Sequence, residues 1–237
     1  MKNLTDITFV LDRSGSMASM VTDVIGGWKT FVAKQKAEVG DCTLSLVQFD
    51  TIYETVFAGV PIQNVSPSLD FMPRGGTALR DAIGRTINDV GARLRALPDK
   101  ERPQNVIIAI MTDGEENSSH EFTQAQIKSM VEHQTNKYGW QFLFLGANID
   151  AFLVGSQFGV AQGLTSGYSY NSGGLRGVFD TVSCYASASR TGEKFVGTLS
   201  ACQVRNEAEQ ENILRNANTA TVTLTGGTQT VTNGGTV

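Results

Sequence analysis

The sequence predicts an α/β protein: a doubly wound, mostly parallel sheet with helices on both faces and one antiparallel edge strand. Three observations predict it. Short apolar runs alternate with segments whose apolar residues repeat at helical spacing. Residues 106–111 are continuously apolar, as a strand covered on both faces is, and 140–145 reads as another buried strand. The strand-like runs 43–49 and 52–60 are separated only by Asp50 and Thr51, which leaves room for a hairpin and not for a crossover.

The elements follow in order. Residues 7–11 form a first β-rich run, and Val21, Val24, Ile25, Trp28, Phe31 and Val32 then mark a helix. After the hairpin strands, Leu79, Ile83, Thr86, Ile87, Val90, Leu94 and Leu97 lie on one face of a long helix that stops near Pro98. Thr123 and Gln126 make a capping box for a helix carrying Ile127, Met130 and Val131. Asn148 is placed to cap a short helix with Phe152 and Leu153 inside, and Leu175, Val178, Phe179 and Val182 mark one more. The layered domain spans about residues 5–188, and the division expected is 1–190 and 191–237.

The second part differs in composition. Residues 203–216 are polar enough for a surface helix, and no charge follows Arg215. In residues 219–237, Ala220, Val222 and Leu224 alternate with threonines before Gly226 and Gly227, which reads as a β-hairpin or an extended arm. Uncharged and free of proline, such a segment is prone to pair with a sheet edge, of its own domain or of a neighbouring chain.

Composition bounds the function. With 41% hydrophobic and 18% charged residues, a packed core is expected. A net charge of −4 and the lack of a basic run argue against a nucleic-acid partner. The three widely spaced cysteines read as reduced thiols. The N-terminal MKNLTDITFVLD is too poor in apolar residues for a secretory signal, and no stretch approaches the roughly 18–20 apolar residues needed to cross a bilayer. These features predict a cytoplasmic protein with no membrane contact.

The chemistry lies in loops after strands. Asp12, Ser14 and Ser16 form D-x-S-x-S after the first strand, and Asp113 follows the strand at 106–111. In an open α/β sheet, ligands bind at the carboxyl ends of strands where strand order reverses. Carboxylates with hydroxyls make an all-oxygen site, suited to a hard cation such as Mg²⁺ or Mn²⁺.

These residues resemble the metal-ion-dependent adhesion site of the von Willebrand factor type A (VWA) family, whose fold is Rossmann-like. DRSGSM at residues 12–17 is similar to its first element, GGTAL at 75–79 to its second, and TDG at 112–114 to its third. The resemblance covers about residues 5–188 and is nearest to small stand-alone bacterial and phage members. It implies that Ser14, Ser16 and Thr77 ligate the metal (Mg²⁺, or Mn²⁺ or Ca²⁺) directly. Asp12 and Asp113 would often act through water, and a Glu or Asp of a protein partner completes the shell. Bacterial relatives often serve as adaptors, including with AAA+ ATPases.

Other readings stand beside this one. Thr77 can also serve as a helix N-cap. Glu115 and Glu116 read as a solvated loop face, and Asp81 as solvent-facing or paired with Arg80 or Arg85. Met17, Met20, Trp28 and Trp140 read as core, and His120 and His133 as surface. No GxSxG, GxxxxGK or GxGxxG is present. A non-enzymatic binding module is therefore expected. The alternatives are a structural subunit, of a phage particle for example, that donates its C-terminal arm to a neighbour, and last a metal-dependent hydrolase. For a phage-encoded chain the virion would be a further location, and the arm would permit homo-oligomers.

Overall fold

The computed structural model describes residues 4–191, Leu199 and Cys202, and the backbones of Thr223–Leu224 and Gly227–Thr228. Strands β1 (Thr5–Asp12), β2 (Cys42–Phe49), β3 (Tyr53–Pro61), β4 (Asn105–Thr112), β5 (Gln141–Ala147) and β6 (Thr165–Tyr168) form one sheet. Its order is β3-β2-β1-β4-β5-β6. All neighbours are parallel except β2 and β3, joined by the short turn at Asp50. β6 had no clear signal in the sequence: four residues of TSGY carry too little apolar alternation to read.

Among the described residues, five helices given in full cover the sheet: α1 (Val21–Ala37), α2 (Leu79–Ala96), α3 (Gln124–Tyr138), α4 (Ala151–Gln157) and α5 (Ser172–Thr191). Alternate strand residues point to opposite faces. Ile7, Phe9 and Leu11 of β1 with Ile107, Ala109 and Met111 of β4 pack against α1 and α5. Val10 with Val106, Ile108 and Ile110 pack against α2, α3 and α4. Met17, Met20 and Trp28 lie in the first core and Trp140 in the second. Leu199 and Cys202 are also buried with the α1–α5 core.

Helix ends follow their local chemistry. The Thr123–Gln126 capping box starts α3, and Gly139 ends it in the left-handed conformation. α2 stops at Ala96 because Leu97, extended before Pro98, cannot continue it. At α4 the expectation is corrected. Asp150 is the N-cap, accepting from Leu153 N–H at 3.0 Å, while Asn148 takes a left-handed turn at φ 54°. Phe152 and Leu153 are exposed, and Ala151 and Gly155 are the residues that α4 buries. A helix this short turns only one narrow strip inward, and the strip begins one residue earlier.

In the C-terminal segment, Thr223–Leu224 (β7) pairs antiparallel with Gly227–Thr228 (β8). Gly227 thus lies opposite Leu224 instead of within the turn. The surface helix expected at 203–216 and the rest of 219–237 lie outside the described residues.

Candidate metal site

β1 leads to β2 on one side, and the chain then returns to β4 on the other. The reversal between β1 and β4 brings Asp12 and Asp113 to neighbouring strand ends. Asp12 is fully buried. Its Oδ1 accepts the Ser14 N–H at 2.7 Å and its Oδ2 the Thr112 hydroxyl at 2.6 Å. The hydroxyls of Ser14 and Ser16 are 3.0 Å apart, and Ser16 donates to Asp113 Oδ1 at 2.7 Å. Asp113 Oδ2 is buried without a hydrogen-bond partner. Thr77 Oγ1 and Ser16 Oγ lie 3.4 and 3.6 Å from where a Cβ would stand on Gly114, beside Asp113. All five sequence-predicted residues therefore gather in one cluster. Ser14 and Thr77 are buried with the carboxylates, and Ser16 is exposed at the mouth.

The electrostatics are those of a site short of positive charge. Burial pushes the Asp12 carboxyl up to about 6, with Thr112 and Ser14 pulling back and the Asp113 charge adding to the rise. Burial also raises Asp113 against the stabilising effects of the Ser16 and Tyr170 hydroxyls. Among the described residues, no group of three or more His, Cys, Asp or Glu is placed to hold a metal. An ion here would rest on two carboxylates and three hydroxyls, a hard oxygen set. The unpartnered Asp113 oxygen fits such an ion, because a buried acceptor left bare is costly.

The surrounding frame is largely what sequence reasoning missed. Arg13, buried inside the first motif, donates from Nε to Asp50 at 2.9 Å and from Nη1 to Glu54 at 2.7 Å. Asp50 also accepts Arg74 Nε at 2.9 Å and Ile52 N–H at 2.7 Å. Tyr168 donates to the Thr112 carbonyl at 3.3 Å, and the Tyr170 hydroxyl meets the Ser16 carbonyl and Ser19. Only Arg13 carried a signal, a charged residue lodged within a loop of small ones; the tyrosines lie over fifty residues from any motif they touch.

Three expectations are corrected. Asp81 faces neither solvent nor an arginine partner alone: it accepts the N–H groups of His120, Glu121 and Phe122 at 2.8–3.0 Å. Glu116 is not solvated but accepts from Ser118 N, Ser119 N and Arg80 N at 2.8–2.9 Å. Thr77 is not the N-cap of α2; that position is Ala78, which has no capping side chain. His120, His133 and Glu115 are exposed, as the sequence implied.

No family model matches the chain, and no curated protein matches its sequence. Solved structures do match. Proximal thread matrix protein 1 of the mussel byssus, with a zinc-occupied MIDAS motif, superposes with a TM-score of 0.53 at 19% identity, over 78% of this chain and 46% of that one. A von Willebrand factor type A protein from Catenulispora acidiphila gives 0.53 at 15% identity, over 80% and 43%. A mutant of the PilB minor pilin from Streptococcus sanguinis gives 0.50 at 12% identity, over 81% and 64%. This chain thus spans less than half the length of the first two and under two thirds of the third. A six-stranded sheet in the order β3-β2-β1-β4-β5-β6, with an antiparallel edge and helices on both faces, is shared with such proteins, and the chain has the von Willebrand factor type A fold.

Proposed function

We propose that the chain is a divalent-metal-dependent protein-binding module. Asp12, Ser14, Ser16, Thr77 and Asp113 hold one hard cation, Mg²⁺ or Mn²⁺, with Ca²⁺ as a further fit. An acidic side chain of a partner protein completes its coordination. The observation that carries this reading is the buried, unpartnered Asp113 Oδ2 beside the Ser16 and Thr77 hydroxyls. The zinc-occupied motif of the mussel protein supports a divalent ion in this fold. With three neutral hydroxyls in the donor set, the bound ion retains net positive charge. A partner carboxylate then makes a short, charge-assisted contact. Such a contact is small in area, so the surrounding loops supply specificity. In this reading the protein is an adaptor or assembly component and not an enzyme.

The test is Mn²⁺ titration followed by electron paramagnetic resonance. One Mn²⁺ per chain is expected in the wild type and none in Asp113→Ala. Propionate, added as a carboxylate probe, is expected to lower the water-proton relaxation of the Mn²⁺ complex by displacing bound water. Failure of the wild type to bind, or equal binding by Asp113→Ala, refutes the metal; unchanged relaxation refutes the open position.

For the C-terminal part we propose the division 1–190 and 191–237, with Leu199 and Cys202 packed back on the first unit. The β7–β8 pairing favours a local hairpin over an extended arm. A two-stranded hairpin is marginal alone and needs a docking surface, so truncation before Thr219 tests whether it joins chains. A change in solution mass supports assembly through this segment, and an unchanged mass opposes it.

A further inference from the structure

The third motif does not end where its resemblance ends. Residues 115–119 run directly after Asp113 and Gly114 and fold back over the second motif. Asn117 Oδ1 accepts the Thr77 N–H at 2.9 Å, while Asn117 N–H and Ser118 N–H donate to the Thr77 carbonyl at 3.0 and 3.2 Å. Thr77 is thus gripped at both its backbone groups by the loop that carries Asp113. Glu116 and Asp81 hold that loop against the start of α2: Glu116 accepts Arg80 N–H, and Asp81 accepts three N–H groups of residues 120–122. Gly76 lets the loop come this close. A Cβ there would stand 2.8 Å from Asn117 Oδ1 and closer still to Ser118 Oγ.

We propose that Asn117 is a positioning residue for the metal site: it sets the Thr77 hydroxyl at a fixed distance from Asp113 before an ion arrives. This rests on the metal reading above. The physical basis is preorganisation. Thr77 and Asp113 lie on separate loops, and an ion that must first order them binds more weakly by that cost. Asn117 is exposed, so its side chain contributes little to the core, and its visible partners are Thr77 and Ser118. Only its oxygen is used as an acceptor toward Thr77, so aspartate preserves the contact and alanine removes it.

The experiment compares Mn²⁺ affinity in wild type, Asn117→Ala, Asn117→Asp and Gly76→Ala, with the thermal midpoint of each ion-free protein measured alongside. Loss of one such hydrogen bond is expected to weaken Mn²⁺ binding roughly three- to tenfold in Asn117→Ala. Asn117→Asp is expected to bind at least as tightly as wild type, and Gly76→Ala to be weakened like Asn117→Ala. Equal affinity in wild type and Asn117→Ala overturns the positioning role while leaving the metal site standing. An Asn117→Ala midpoint that falls in step with its affinity, with no rescue by Asn117→Asp, also overturns it, because that is a plain folding defect. Absence of Mn²⁺ binding in the wild type overturns both readings.

Discussion

Two pairs of buried carboxylates sit at the same end of the sheet and meet opposite fates. Asp50 and Asp81 are surrounded by donors. Burial alone would raise both, but Arg74, the Ile52 N–H and Arg13 outweigh it at Asp50, and three backbone N–H groups outweigh it at Asp81; both are held below the usual carboxylate range. Asp12 and Asp113 lie deeper and receive hydroxyls and single backbone N–H groups, without an arginine such as those at Asp50, and both are raised, burial being the larger cause. The first pair has its counter-charges built in. The second lacks them, and that deficit, more than the presence of acidic residues, is what supports the proposed cation site.

Changes at each pair test the contrast. The largest effect is expected from Asp50→Ala, which strands the buried Arg13 guanidinium; breaking such a pair costs about 3 kcal/mol, read by urea denaturation. A loss below about 1 kcal/mol would show that Glu54 and Gln48 suffice for Arg13.

Asp12→Asn is expected to do the reverse. It removes a buried charge that has no cation beside it, and Thr112, freed from Asp12, still reaches the Gly114 carbonyl at 3.2 Å. At pH 7 the ion-free protein should gain about 1 kcal/mol. Added Mn²⁺ should stabilise wild type by about 2.7 kcal/mol at a hundredfold excess over Kd, an effect erased by EDTA and missing in Asp12→Asn. A destabilised Asp12→Asn would mean that its two hydrogen bonds outweigh its charge.

Acid titration separates the pairs by sign. Because Asp81 is lowered in the folded state, its stabilisation is complete above its unfolded value of 3.8 and fades as pH falls through the lower folded value. The gap in urea midpoint between wild type and Asp81→Asn should therefore be widest above pH 5 and close toward pH 2. A gap that stays constant would refute the ionic role of Asp81.

The smallest effect is expected at Arg74→Ala. Arg74 is half exposed, and Asp50 keeps Arg13 and the Ile52 N–H without it, so the loss should stay under about 1 kcal/mol. A larger loss would show Arg74, not Arg13, to be the principal counter-charge of Asp50.

What the sequence by itself determined is the local and periodic part. Continuous apolar runs at β4 and β5, helical spacing in α1, α2 and α5, and the two-residue link to β3 specify the layered sheet, because strand and helix each impose their own period on burial. Asp12, Ser14, Ser16 and Asp113 could be read as polar residues directly after strands, while Thr77 and the five as one set came only from the resemblance of three short motifs to the family's adhesion site. Tertiary structure decided which carboxylates are satisfied. The donors to Asp81 come from 39 to 41 residues away and the Arg13 partner of Asp50 from 37, separations that no local pattern encodes. The same holds for β6, ordered by pairing with β5, and for Tyr168 and Tyr170, delivered to the site by that pairing. A carboxylate in a sequence is only an acid; whether it is complete or waits for an ion depends on what the fold places within hydrogen-bond reach, since burial penalises its charge wherever donors are missing.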